Sequence, residues 1–245
     1  MTGPINQEGG DKLGVRGDGR TAVIEMARAS GLAMVPPRRR NPRVTSTLGT
    51  GQILKEAAEK GVNRVIVGLG GSATNDAGAG MATALGVRFL DSRGNAPPPG
   101  GAALVSLDRL DTSALLPRLT GMEFIAATDV TNPLCGSTGA SAIFGPQKGA
   151  SKDVVAELDA ALLHFAQVVK RDTGSDVLDI HAGGAAGGLG AGLIAFAGAK
   201  IQSGIDMVCE VLAFDRHLAG ADLVITGEGR ADRSTVFAKA PVGEA

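Results

Sequence analysis

The 245-residue chain is 44% apolar but only 3% aromatic, with neither Trp nor Tyr, so its core has to be built from closely packed Ala, Val, Leu and Ile. A net charge of −1, no basic run beyond Arg38-Arg39-Arg40 and no aromatic stacking platform argue against nucleic-acid binding. Two cysteines outside any motif (Cys135 and Cys209), no charged-then-apolar leader and no membrane-length apolar run point to a soluble cytoplasmic protein; the 37 glycines have no G-X-Y period, which excludes collagen.

Residues 1–20 are polar and glycine-rich. Residues 14–21 nearly spell a P-loop, but Arg20 stands in the place of the lysine, and the run precedes an apolar segment instead of following a strand, so it reads as a turn. Residues 36–42 form a surface connection; such an arginine triplet is more often solvated than binding, although it could face an anion. Thr50 is expected to cap a helix over 51–60, with Ile53, Leu54, Ala57 and Ala58 on one face and Gly61 as its stop.

Val65, Ile66 and Val67 suit a strand buried on both faces. Gly68, Gly70 and Gly71 end it, and Ser72, Thr74, Asn75 and Asp76 lead into an Ala/Gly/Met/Leu helix. A strand, a glycine turn and a helix start together offer free N–H groups and a positive dipole end to phosphate. The competing reading is a tight, capped βα turn; four polar side chains in five positions favour the site.

Further along, residues 87–91 form another strand, 91–95 a turn, and 97–101 bar regular structure. Residues 124–128 form a second apolar strand that ends at Asp129 and Asn132, and the loop 144–149 presents one cation, Lys148. Ser151 caps the clearest helix, whose Val154, Val155, Leu158, Leu162, Phe165, Val168 and Val169 keep the helical spacing until Gly174. His164, His181 and His217 are solitary, so no His/Cys metal cluster is expected. Residues 183–198, almost wholly Gly, Ala and Leu, are either a linker or a helix packed too tightly for larger side chains; Leu189, Leu193, Ile194 and Phe196 favour the helix. A third strand over 223–226 ends at Gly227, Glu228 and Gly229, and Asp232 precedes a helix start near Ser234.

Three apolar strands thus each end in glycine with an acidic or amide group. Ligands of open α/β sheets bind beyond the carboxyl ends of the strands. Converging carboxylates and glycine turns suit Mg²⁺ and phosphate, and phosphoryl transfer asks mainly for positioning and charge neutralisation. Any single one of these ends could be an ordinary turn; three in one chain make that less satisfactory.

The segments 21–27, 29–32, 68–76, 129–134, 144–149 and 226–229 occur in order and with a characteristic spacing, and on them the chain resembles the bacterial type I glycerate kinases over nearly its whole length. The resemblance implies an α/β fold of two domains: largely the inserted α/β domain (residues 1–220) with part of a Rossmann-like domain returning at 221–245. It also implies transfer of the ATP γ-phosphoryl group to a hydroxyl of glycerate with Mg²⁺; composition and charge leave no nucleic-acid or membrane partner expected, and a homodimer is an option. Carried onto this chain, Gly70, Gly71, Ser72, Thr74, Asn75, Gly227, Glu228 and Gly229 would hold the nucleotide. Asp76, Asp129 and Asp232 would coordinate Mg²⁺ or accept the hydroxyl proton, with Asp129 and Asp232 the metal candidates. Lys148 and Lys239 would neutralise charge on the transferred group or the substrate carboxylate. The chain lacks the family's opening Lys-bearing loop, stops at Ala245 before its last elements, and has Ala238 where glycine and Ser234 where glutamine are usual. It therefore reads as a central section of such a kinase. The alternatives are an inactive fragment that binds nucleotide or organic acid, and an NAD(P) oxidoreductase, for which the G-x-G-G-S turn and the surroundings of Asp91 are poor matches.

Overall fold

The computed structural model describes residue 3, residues 14–15 and residues 20–223. Strands β1 (Gly14–Val15), β2 (Thr21–Glu25), β3 (Arg64–Gly68), β4 (Arg88–Leu90), β5 (Arg109–Asp111), β6 (Glu123–Ala127) and β7 (Lys200–Gln202) alternate with helices α1 (Ala27–Ser30), α2 (Leu48–Glu59), α3 (Ala79–Ala84), α4 (Ala140–Phe144), α5 (Lys152–Thr173), α6 (Ala185–Ala197), α7 (Gly204–Leu212) and α8 (Phe214–Leu218). One sheet runs β1-β2-β3-β6-β7, parallel except for β1, and β4 pairs with β5 as a separate antiparallel ribbon.

Strand period two divides the main sheet into faces. Ile24, Val67, Ala126 and Ile201 lie opposite one another along the sheet. With Ala22, Val65 and Phe124 they pack on Ile53, Leu54 and Ala57 of α2, Met81 of α3 and Leu189 and Leu193 of α6. On the other face Ile66 and Ile125 meet Met207 of α7, while Val23 stays 43% exposed. A second core forms under α5, where Phe89, Phe165 and Phe196 pack with ring centroids 5.9 to 6.4 Å apart. The small-aliphatic core expected from composition thus has one aromatic knot.

The 152–173 helix is as the spacing predicts: Ser151 Oγ accepts from the Val154 N–H, and Gly174 ends it in the left-handed region. Thr50 is not a cap. Helix α2 starts earlier, at Leu48, and the Thr50 hydroxyl instead meets Ser30 Oγ in the interior at 2.8 Å. Residues 183–198 are the packed helix, not a linker, and the segment opens with Ala186, Gly187 and Gly188 in left-handed conformation. Gly187 is obligatory there, since a Cβ would lie 1.9 Å from the Thr74 carbonyl oxygen. The strand expected over 223–226 and the helix near Ser234 fall outside the described residues but for Leu223.

Candidate functional site

Strands β2, β3 and β6 end in register at Glu25, Gly68 and Ala127. Beyond that carboxyl edge lies a cavity of about 570 Å³ walled by Gly70, Gly71, Ser72, Asp129 and Lys148, with Ile66, Phe144 and Met207 as its apolar sides. Its position is the one parallel sheets reserve for ligands.

The glycine loop is pinned from behind. Leu32 N–H donates to the Gly71 carbonyl at 2.8 Å, Ala73 N–H to Ser30 O at 2.9 Å, and Thr45 Oγ1 to Ala73 O at 2.8 Å. Gly71 has φ +73°, and the turn leaves the N–H groups of Gly70, Gly71 and Ser72 without an acceptor among the described residues. Three consecutive free donors at a cavity wall suit a phosphate oxyanion.

Lys148 stands on a 3₁₀ turn, Pro146–Lys148, that closes at Gly149 with φ +96°. The sequence suggests a cation presented on a loop; the structure buries it to 2% exposure while keeping it on the cavity wall. Its ammonium donates to Ser72 Oγ at 2.8 Å and to the Thr74 carbonyl at 2.7 Å. Burial pushes the Lys148 pKa down to about 7, against the opposing pull of the Asp76 charge. Arg40 Nη1 reaches the Gln147 carbonyl at 3.4 Å, which lays the last arginine of the triplet against the outside of this turn, while Arg38 and Arg39 stay exposed.

Asp76 is wholly enclosed and lines no part of the cavity. Its Oδ2 accepts from Thr47 N–H, Thr47 Oγ1 and Gly80 N–H, and its Oδ1 from Gly78 N–H. Burial raises its pKa, and those hydrogen bonds offset part of the rise. The helix start expected to face phosphate is therefore taken by this carboxylate: α3 begins only at Ala79, after a left-handed Gly78, and its first donors point at Asp76. Thr74 and Asn75 are also fully buried behind the wall. Asn75 Nδ2 donates to Ser141 Oγ at 3.0 Å, while Thr74 Oγ1 and Asn75 Oδ1 find no partner among the described residues.

Asp129 is exposed at the cavity, at the end of β6. Its Oδ1 accepts from Ser203 Oγ at 3.2 Å and from the N–H groups of Gly204 at 2.7 Å and Ile205 at 3.4 Å, so it anchors the start of α7 and leaves Oδ2 uncommitted among the described residues. Glu25, which also lines the cavity, is a residue that sequence reasoning missed; its place at the end of a parallel strand was the available signal. The start of α7 was likewise readable from Ser203 and Asp206, whose S-x-x-D spacing gives a side-chain cap. Asp232, Lys239, Gly227, Glu228 and Gly229 lie outside the described residues. No group of three His, Cys, Asp or Glu able to hold a metal occurs among the described residues. Mg²⁺ bound beside phosphates needs only one or two carboxylates, and Asp129 Oδ2 fits that part. A second cavity, about 640 Å³, lies between β4 and Pro97-Pro98-Pro99; none of the predicted site residues lines it.

The family model described as the glycerate kinase family matches residues 1–245. The chain is 49% identical to glycerate 2-kinase of Escherichia coli K12 and 49% identical to glycerate kinase of Bacillus subtilis 168, in both cases over the whole chain and 64% of the relative. A crystal structure from Salmonella typhimurium LT2, provisionally described as glycerate kinase 2, superposes with a TM-score of 0.90 at 50% identity, over 99% of this chain and 64% of that one. The chain thus spans less than two thirds, 64%, of the length of these relatives, and the expected α/β fold with a parallel sheet is the one found. The chain belongs to the glycerate kinase family.

Proposed function

We propose that this chain contributes the phosphate-binding wall of a glycerate kinase, an enzyme that transfers the ATP γ-phosphoryl group to a hydroxyl of glycerate. The observation that carries the reading is the meeting of three free N–H donors, the Lys148 ammonium and the Asp129 carboxylate in one cavity at the carboxyl edge of the sheet. The name of the E. coli relative favours the 2-hydroxyl as acceptor. Family membership sets aside the dinucleotide oxidoreductase reading.

In the proposed reaction the glycerate hydroxyl oxygen bonds to the γ-phosphorus, the bond from that phosphorus to the bridging oxygen breaks, and ADP departs. The N–H groups of Gly70, Gly71 and Ser72 orient the phosphate oxygens, and Lys148 places positive charge behind them. Asp129 Oδ2 is the described oxygen that would hold Mg²⁺, whose chemistry is to neutralise charge spreading over those oxygens. Asp76 acts from within, fixing the loop through Thr47 and Gly80. Asp232 and Lys239 remain the candidates for accepting the hydroxyl proton and for pairing with the substrate carboxylate. The division near residue 220 between an inserted α/β unit and a returning Rossmann-like part belongs to the same proposal. No helix among the described residues is long and apolar enough to cross a membrane.

A coupled ADP-release assay with ATP, Mg²⁺ and D-glycerate tests the reading. Activity that falls at least about a hundredfold in Asp129→Asn, which keeps the Oδ1 acceptor that anchors α7 and so costs little stability, is expected; turnover unaffected by that change rejects the assignment. Because the chain covers 64% of its relatives' length, a binding-only role is the second reading. Calorimetric binding of ATP and glycerate without ADP release would favour it.

A further inference from the structure

Lys148 and Asp76 are the charged side chains that the described structure buries, and of the two only Lys148 touches the cavity. Two of the three ammonium donors are committed, one to Ser72 Oγ and one to the Thr74 carbonyl. The residue between them, Ala73, is fixed from the opposite side by Ser30 and Thr45. A hydroxyl that accepts from an ammonium keeps its own proton for another partner, and Ser72 lies on the cavity wall beside the three free N–H groups. A neutral amine keeps two donors but gains a lone pair, so that bond is free to reverse. The positive charge behind the loop is then gone, and the Ser72 O–H can donate inward to the amine instead of into the cavity.

We infer that Lys148 is a positioning residue whose protonation state sets whether the Gly70–Gly71–Ser72 loop can hold a phosphate-sized oxyanion: the ammonium puts charge behind the loop and holds Ser72 Oγ as an acceptor with its proton turned outward, and the amine removes the charge and releases that constraint. The inference rests on reading this loop as the phosphate wall. Its surroundings fit the role. Asp76 supports the ammonium from the interior. Glu25 and Asp129 face the same cavity as negative groups, and Arg40 lies outside the turn against Gln147. Since burial brings the Lys148 pKa to about 7, both states are populated near neutrality. A general-base role for Lys148 would require the opposite dependence, with the amine as the competent form.

The test follows the lysine directly and needs no turnover. With ¹³C-labelled lysine, the Lys148 Cε resonance, identified by its absence from Lys148→Met, is titrated from about pH 5 to 10, across the range in which a displaced lysine titrates. One sample contains sulfate, which does not titrate in that range, and a second contains chloride at equal ionic strength. Sulfate should raise the Lys148 midpoint by about one unit, equivalent to roughly tenfold tighter anion binding by the ammonium form. Sulfate-induced shifts of the Gly70, Gly71 and Ser72 amides should disappear in Lys148→Met at pH 6.5. An unchanged or lowered midpoint overturns the inference, as does sulfate binding at these amides that Lys148→Met leaves intact. If Lys148→Met does not fold, Lys148→Arg identifies the resonance and the wild-type midpoints decide. A raised midpoint without ADP release would reject the kinase reading and keep this one; ADP release with an unmoved midpoint would do the reverse.

Discussion

Lys148 and Asp76 show how burial acts on opposite charges in one small region. For the lysine the folded pKa is about 7 against an ordinary 10.5. Between those values the unfolded chain holds more protons than the folded one, so stability rises with pH across that window; below pH 7 both forms are charged and the cost of burial stands in full. Urea unfolding at pH 7 and 9.5 should show a gain of up to about 3 kcal/mol that Lys148→Met flattens. A flat wild-type profile would mean that the ammonium is well solvated after all. Asp76 acts at the acid end with the other sign: its raised pKa makes stability fall as pH climbs from 3.8 toward the folded value. Both residues were legible as polar groups near a glycine turn. Their division of labour was not, because nothing in the order of residues 72–76 reveals which side chains face the cavity and which turn toward Thr47.

At the scale of the element, legibility followed the strength of local signals. Helix α5 was readable because apolar spacing, Ser151 and Gly174 all agree. Thr50 misled because a hydroxyl ahead of an apolar run looks like a cap until a partner elsewhere, here Ser30, claims it. The Gly/Ala run of 183–198 was readable as a packed helix from Leu189, Leu193, Ile194 and Phe196, but its left-handed opening was not, since that fit depends on Thr74 and Ala77 and not on its own composition. That dependence makes a paired prediction. Gly174 (φ +75°) ends a helix in open space, whereas Gly187 (φ +70°) has no room for a Cβ. Gly174→Ala should therefore cost about 1 kcal/mol, the price of a left-handed residue alone. Gly187→Ala should cost more than about 3 kcal/mol, because the Thr74 segment must also move. Chemical denaturation of the two variants compares them; equal losses would mean that the second glycine run yields easily.

Across the whole molecule, the parallel sheet and the placement of the cavity at its carboxyl edge followed from strands ending in glycine, amide and acid. Long-range partners were beyond reach, and the cavity is assembled from them. Lys148 closes spans of 76 and 74 residues onto Ser72 and Thr74, and Ala77 N–H finds its acceptor only at Gly187. Closing spans of this size costs entropy before any contact repays it. Pulse-labelling hydrogen exchange during refolding should therefore find the Ala77 amide protected later than that of Val67; simultaneous protection would count against this order. On a translating ribosome the same constraint has a temporal meaning. The glycine turn emerges after the residues that pin it, Ser30, Leu32 and Thr45, yet the cation behind it arrives only with Lys148, and the brace at Ala77 only when the run around Gly187 has left the exit tunnel.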